Sequence, residues 1–341
     1  MVQGRSLVLC IGVLSLTMTK CEVGEKKEDI FYLLVSQPRS GSTWVGSKIA
    51  THPCTFWRGE NGHGVWGTRV AKNAKKGNEP CIKSKHPKDC FMDYFKKAGI
   101  SKQANLVDDV VCPANTSRVL GGKVWGTGML NKQQQGQSAM PNSMREFLRN
   151  HNVRIIWVNR MNVLDREISQ AYIKATNTGN VMHCFVGGEK YRESMKMNKE
   201  EEKHQKNSKE IRQARNPCLD ESNLQVRIDA RSVAHHAEQA QEAFNRMGAV
   251  LGLTGTDQAS VQQTTAAGFP VLYLPCETLV QQESEWLTVA EFLSFPKTDA
   301  TKYFQDRTIK RVRRSQKEMI SNYQEVARDL TRRNLTYLLT A

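Results

Sequence analysis

The sequence lacks the residue patterns of several common enzyme classes. None of its nine cysteines forms a Cys-x-x-Cys pair and no histidine stands at zinc-site spacing, so no metal site is predicted. It contains no Gly-x-Ser-x-Gly nucleophile elbow and no carboxylate pair at glycosidase spacing. These absences argue against zinc-dependent, serine-nucleophile and glycosidase chemistry.

Acidic residues are scarce relative to basic ones. The 341 residues include 49 Lys and Arg against 34 Asp and Glu, which gives a formal net charge of +15 and a pI near 9.4. This excess favours anionic partners, such as a nucleotide or an anionic glycan. Nucleic acid is not a predicted partner, because the charge is spread along the chain and only Lys310-Arg311-Val312-Arg313-Arg314 is a dense run.

The N-terminal hydrophobic run is short for a membrane span. It extends from Leu7 to Leu16 after Arg5, which is typical of a secretory signal. Residues 1–20 are therefore predicted to be a signal peptide, with a short signal-anchor as the competing interpretation. The predicted location is the secretory pathway, either the Golgi lumen or outside the cell. Sequons at Asn115 and Asn334 are compatible with a glycoprotein.

Cysteine usage agrees with an oxidising compartment. Eight cysteines remain if cleavage precedes Cys21, and disulfide bonds among them are expected in a secreted protein. Cys184 and Cys218 bracket a polar insert that a disulfide would clamp. The pairing stays open at the sequence level for the six cysteines of the predicted insertions: Cys54, Cys81, Cys90, Cys112, Cys184 and Cys218.

The segment from Phe31 to Ala50 has the layout of a phosphate-binding loop. Phe31–Val35 is an apolar run typical of a buried strand, Ser36–Ser42 is a turn of small and polar residues, and Thr43–Ala50 is a predicted helix. Loop amides and the free N–H groups of a first helical turn favour an anion at one spot. The loop is not a Walker A motif, because Gly41 is followed by a serine instead of lysine.

Strands and helices alternate through the rest of the chain. Strands are predicted at 119–125, 153–158 and 270–274, and an amphipathic helix at 232–251. The predicted fold is α/β, a P-loop-like, doubly wound and mainly parallel sheet flanked by helices. One domain would span residues 29–341, with polar insertions at about 67–118 and 187–215. The site is expected at the carboxyl ends of the strands.

A second anion-binding motif follows the strand at 153–158. The strand ends just before Arg160, which places Arg160 at the same edge of the sheet as the loop at 36–42. Ser169 lies about two turns into the next helix. An arginine and a hydroxyl that converge on one point suit a terminal phosphate.

These motifs resemble those of sulfotransferases that use 3′-phosphoadenylyl sulfate (PAPS). Pro38-Arg39-Ser40-Gly41-Ser42-Thr43-Trp44 is similar to the family's 5′-phosphosulfate loop, and Arg160 with Ser169 is similar to its 3′-phosphate site. The spacing between those two is nine residues, where cytosolic members have eight. The Golgi carbohydrate, tyrosylprotein and bacterial-type branches are the closest in pattern.

The resemblance implies PAPS as co-substrate, no metal, and a role for each motif residue. Arg160 and Ser169 would hold the 3′ phosphate, while Lys123 and Arg39 would assist catalysis by neutralising charge. The residues implied to hold the 5′ phosphosulfate are Arg39, Ser40, Gly41, Ser42, Thr43 and Trp44.

The general base is not the histidine of the cytosolic branch, because residues 124–127 contain none. His52-Pro53 followed by Gly59-Glu60 is similar to an arrangement in the tyrosylprotein enzymes. Glu60 is therefore the predicted base and His63 the reserve candidate.

The resulting hypothesis is transfer of the sulfuryl group of PAPS to an acceptor hydroxyl, with a carbohydrate as the preferred acceptor. Protein tyrosine or a small alcohol is the alternative acceptor. A non-catalytic secreted protein that binds anionic glycans on the same fold is the alternative outside enzymes. A P-loop kinase is disfavoured by the missing Walker lysine.

Overall fold

The protein is described from a computed structural model that covers most of the chain. The described residues are 28–57, 86–100, 112, 116–125, 131–132, 138–176, 224–253, 255, 257–304 and 315–339. Several predictions fall outside these ranges: the signal segment 1–20, Glu60, His63, the insertion at 187–215 and the basic run at 310–314.

A mainly parallel sheet forms the centre of the fold. Its strands stand in the order β2-β3-β1-β6-β8-β7, and only β7 runs antiparallel to its neighbour β8. A separate antiparallel pair joins β4 to β5. The strands are β1 Ile30–Ser36, β2 Thr55–Trp57, β3 Val119–Trp125, β4 Asn131–Lys132, β5 Ser138–Ala139, β6 Arg154–Asn159, β7 Gln262–Thr264 and β8 Val271–Pro275.

Helices flank this sheet, which confirms the predicted α/β class. None of the helices in the described ranges has the length and apolar character needed to cross a membrane. The helices are α1 Ser42–Ile49, α2 Pro87–Ile100, α3 Asn142–Asn150, α4 Val163–Thr176, α5 Ala230–Leu251, α6 Cys276–Gln281, α7 Glu285–Phe292, α8 Lys297–Tyr303, α9 Gln316–Met319 and α10 Tyr323–Arg332, followed by a 3-10 turn at Thr336–Leu338.

The apolar strands bury both of their faces, and alternate residues enter two different cores. Leu33 and Val35 of β1 join the core that contains α2, α3 and α5, whereas Tyr32 and Leu34 join the core that contains α1 and α7. A third cluster packs α4 against α5 and α10. Continuous apolar strands of this kind require helices on both sides of the sheet.

Helix α2 lies within the range 67–118, which the sequence pattern predicts to be a polar insertion. Phe91, Tyr94 and Phe95 of α2 are at most 1% exposed and pack under the sheet. Their spacing of three and four residues places them on one helical face. The sequence pattern that would predict this helix is weak because lysines and cysteines surround the three aromatic residues.

A disulfide bond fixes the edge of the sheet. Cys54, just before β2, is bonded to Cys112, and their Cα atoms are 4.7 Å apart. The Cys54 carbonyl also accepts a hydrogen bond from the Val119 amide of β3 at 2.8 Å. Because β2 has three residues and, among the described strands, pairs only with β3, this covalent link stabilises the shortest parallel strand of the sheet.

Candidate functional site

The candidate site lies where β3, β1 and β6 end side by side. Ser36 at the end of β1 is in register with Trp125 of β3 and with Val158 of β6. From β1 the chain passes to β2 and then to β3 on one side of β1, and it later reaches β6 on the other side. Such a reversal of strand order opens a crevice at the carboxyl ends of the strands, where ligands bind in open α/β sheets.

The loop between β1 and α1 is tightly turned. The hydroxyl and the amide of Ser40 both donate to the Gln37 carbonyl, at 2.7 and 3.4 Å. Arg39 and Gly41 have positive φ angles of 64° and 81°. A Cβ atom at Gly41 would lie 2.6 Å from Sγ of Cys276, so the glycine is required both by its φ and by its close approach to α6.

The first turn of α1 faces this loop and carries no negative charge. Gly41 is its N-cap residue and supplies no side-chain cap, and the first turn has no acidic residue. Lys123 of β3 reaches the same turn, and its Nζ donates to Oγ1 of Thr43 at 3.1 Å. Because Lys123 is only 5% exposed, its charge acts with little screening by solvent.

Trp44, in the same turn, packs against α7. Its ring meets that of Trp286 edge to face, with centroids 5.4 Å apart. The Lys48 ammonium lies 4.4 Å from the centroid of the Trp286 ring and 5.8 Å from that of Trp44. This cation–π cluster packs α1 against α7 and thereby fixes the loop that precedes α1.

Arg160 lies at the end of β6 in an ion pair with Asp165. Arg160 Nη2 is 2.9 Å from Asp165 Oδ2, and both side chains are about three-quarters buried. Oδ1 of Asp165 accepts from Nε2 of Gln316 at 2.9 Å. Gln316 is 1% exposed, so the C-terminal part of the chain holds the carboxylate that orients Arg160.

Glu277 fixes the loop after β6. Its carboxylate accepts from the amides of Met161 at 3.3 Å and Asn162 at 3.0 Å. The strand register places Pro275 opposite Asn159, so the residues that follow the two strands are neighbours. No role for Glu277, Asp165 or Gln316 is predicted from the sequence. For Glu277 a signal exists, because the residue lies just beyond the carboxyl end of a strand, β8.

The structure brings some predicted site residues to one sheet edge. Lys123 contacts Thr43, and Arg160 follows β6, which lies on the other side of β1 from β3. The loop and the first turn of α1 are formed by Arg39, Ser40, Gly41, Ser42, Thr43 and Trp44. Ser169 is half-buried on α4, seven residues after Asn162 and therefore on the same helical face. The predicted base Glu60 and its reserve His63 lie outside the described residues.

His52, part of the motif that led to Glu60, lies in the hydrophobic core. Its ring stacks on Phe295 with centroids 3.7 Å apart and is 2% exposed. Nδ1 accepts from the Cys54 amide at 3.1 Å, so Nε2 carries the proton and donates to Oδ2 of Asp299 at 3.2 Å. Burial lowers the pKa of His52, and the hydrogen bond to Asp299 opposes that effect.

The neutral state of His52 predicts that the protein loses stability in mild acid. In the unfolded chain a histidine binds a proton near pH 6.5, whereas the folded pKa is lower. The unfolded state therefore binds more protons as the pH falls below about 6.5, and the free energy of unfolding decreases with a slope of at most about 1.4 kcal/mol per pH unit from this residue. Urea unfolding between pH 7.5 and 5.5 measures the slope.

His52→Asn keeps an acceptor near the Cys54 amide and removes the titrating ring. It is expected to be less stable than wild type at pH 7.5 and to show a shallower dependence on pH. His235→Asn, on the exposed part of α5, is the control and should keep the wild-type slope. Equal slopes for wild type and His52→Asn would show that His52 does not cause the acid sensitivity.

No protein-family model matches the chain, and no curated protein matches it in sequence. Within the described ranges, no group of three or more His, Cys, Asp or Glu side chains is arranged to hold a metal ion. The function therefore has to be inferred from the chemistry of the site itself.

Proposed function

We propose that the protein is a PAPS-dependent sulfotransferase of the secretory pathway with a P-loop-like nucleotide site. The supporting observation is the convergence of two cationic groups and a glycine-containing loop at one edge of a parallel sheet. Lys123 of β3 contacts the first turn of α1, and Arg160 follows β6 on the other side of β1. A nucleotide with anionic groups at both its 5′ and 3′ positions matches two cationic positions on the strands that flank β1.

The 5′ phosphosulfate would lie at the start of α1. Amides at a helix N-terminus and the helix dipole favour an anion there, and no acidic side chain in the first turn opposes it. Lys123 and Arg39 would neutralise the negative charge that develops on the leaving oxygen. Charges that are already in place before the reaction stabilise the transition state most effectively.

The 3′ phosphate would lie between Arg160 and Ser169. Both residues belong to the segment that leaves β6 and enters α4, which Glu277 fixes through two backbone amides. Arg160 would exchange its partner Asp165 for the phosphate. The position of the 3′ phosphate would in turn align the 5′ end with the acceptor.

The proposed reaction breaks one S–O bond and forms another. The acceptor hydroxyl loses its proton to a general base, its oxygen bonds to sulfur, and the bond from sulfur to the 5′ phosphate oxygen breaks. Adenosine 3′,5′-bisphosphate leaves with the electron pair of that bond. Glu60 is the proposed base, six residues beyond the disulfide-bonded Cys54.

The preferred acceptor is a carbohydrate hydroxyl. The net charge of +15 favours an acceptor that is itself anionic, such as a carboxylated or sulfated glycan. A disulfide bond in the described fold is also what an enzyme of the secretory lumen would carry.

Calorimetric titration with adenosine 3′,5′-bisphosphate, in the absence of metal, tests the nucleotide site. We expect wild type to bind the bisphosphate and Arg160→Ala to weaken binding by about tenfold or more, because a charge-assisted pair to phosphate is lost. Arg246→Ala, on the exposed side of α5, removes the same charge and is the control.

Sulfuryl transfer from radiolabelled PAPS to desulfated glycans, to tyrosine peptides and to simple alcohols then identifies the acceptor class. Folded wild-type protein that binds no bisphosphate would refute the proposal. Glycan binding that persists in an Arg39→Ala, Glu60→Gln double variant without any transfer would instead support a non-catalytic binding protein.

A further inference from the structure

The face of α4 next to Arg160 carries a second arginine that is incompletely satisfied. Arg166 precedes Ser169 by three residues, so the two side chains lie on the same helical face. Among the described residues, Nη1 of Arg166 is shielded from solvent and has no hydrogen-bond partner. A buried guanidinium N–H without an acceptor costs free energy, so a missing acceptor from a ligand would explain its position.

Arg166 and Arg160 are close enough to repel each other. Burial lowers the pKa of Arg166, Glu167 raises it, and the charge of Arg160 lowers it again. Glu167 is itself engaged, because its Oε1 lies 2.9 Å from Nδ1 of His236. Asp165 is paired with Arg160, and Arg160 Nη2 lies 2.9 Å from Asp165 Oδ2.

The carboxylate of Asp165 is fixed independently of Arg160. Gln316 donates from Nε2 to Oδ1 of Asp165 at 2.9 Å and to the Leu338 carbonyl at 3.0 Å. The Asp165 amide donates to Oδ1 of Asn162 at 3.0 Å, which fixes the start of α4. Arg160 can therefore exchange its partner while Asp165 stays in place.

We propose that Arg166 is a third anion-binding residue beside Arg160 and Ser169, and that Asp165 is an internal counter-ion that competes with the ligand for Arg160. The ligand group is a phosphate monoester dianion, because its oxygens can accept hydrogen bonds from two guanidinium groups at once. This inference rests on the proposed function and assigns to Arg166 the discrimination between nucleotides with and without a 3′ phosphate.

The test compares adenosine 3′,5′-bisphosphate with adenosine 5′-monophosphate in calorimetric titrations of the full chain. Arg166→Gln should lower the affinity for the bisphosphate by about tenfold or more and leave that for the monophosphate unchanged. Asp165→Asn keeps the acceptor for Gln316 and removes the competing charge, so it should raise bisphosphate affinity by about three- to fivefold. Arg246→Gln is the control for net charge.

The gain expected for Asp165→Asn keeps the test decisive, because a variant that folds poorly cannot bind more tightly. Suppose that wild type prefers the bisphosphate and that Arg166→Gln and Asp165→Asn both bind it with wild-type affinity. That result would overturn this inference and leave the proposed function standing. Equal loss of both nucleotides in Arg166→Gln would also overturn it, since the role would then be structural. A folded wild type that binds neither nucleotide would overturn the proposed function, and this inference with it.

Discussion

Lys123→Met is expected to reduce the rate of sulfuryl transfer by about 100- to 1,000-fold while nucleotide affinity changes far less. Lys123 is 5% exposed and its Nζ is 3.1 Å from the Thr43 hydroxyl, at the helix start where the leaving oxygen would gain charge. Methionine fills nearly the same volume without a charge. The measurement is single-turnover transfer from radiolabelled PAPS, with bisphosphate affinity determined in parallel.

Lys48→Met is the matched control for this prediction. Lys48 is also 5% exposed and belongs to α1, but its ammonium lies over the Trp286 ring, 4.4 Å from the centroid. Its loss should lower the free energy of unfolding and leave most of the transfer rate. If the two variants lose similar amounts of rate, or if Lys123→Met loses binding and rate equally, Lys123 has a general structural or binding role and no specific catalytic one.

The fold class was predictable because its signals are local. The apolar run of β1, the small-residue loop and the start of α1 are consecutive in the sequence, and the structure places β1 at Ile30–Ser36 and α1 at Ser42–Ile49. Short runs with β-branched and aromatic residues likewise predict the strands at 119–125 and 154–159. Their carboxyl ends necessarily share one edge because the strands are parallel.

The side chains that hold the site in place were not predictable in the same way. Asp165 contacts Arg160 within five residues, but Gln316 reaches Asp165 across 151 residues and Glu277 reaches Asn162 across 115. Nothing in the sequence around Gln316 marks it as part of a site. Such contacts follow from strand order and from the docking of the C-terminal helices, and neither can be derived from local periodicity.

Gly121→Ala is expected to lower the free energy of unfolding by about 3 kcal/mol. Gly121 of β3 is paired directly with Tyr32 of β1, and the Tyr32 ring is fully buried. A Cβ atom at Gly121 would lie less than 3.0 Å from three atoms of that ring. Because both strands are central and Tyr32 is enclosed by the core, neither side can move without disturbing Lys123, two residues further along β3. Chemical denaturation measures the loss.

Gly255→Ala is the comparison in which the backbone conformation, and no close contact with a described residue, opposes the added Cβ atom. Gly255 has a φ of 72°, and no atom of another described residue lies within 4 Å of the added Cβ, so its cost should be only about 1 kcal/mol, from the left-handed backbone. Tyr32→Leu should recover part of the stability of Gly121→Ala, with a coupling energy of about 1–3 kcal/mol. Strictly additive effects of the two substitutions would show that the close approach of ring and backbone does not explain why glycine occupies this position next to the candidate site.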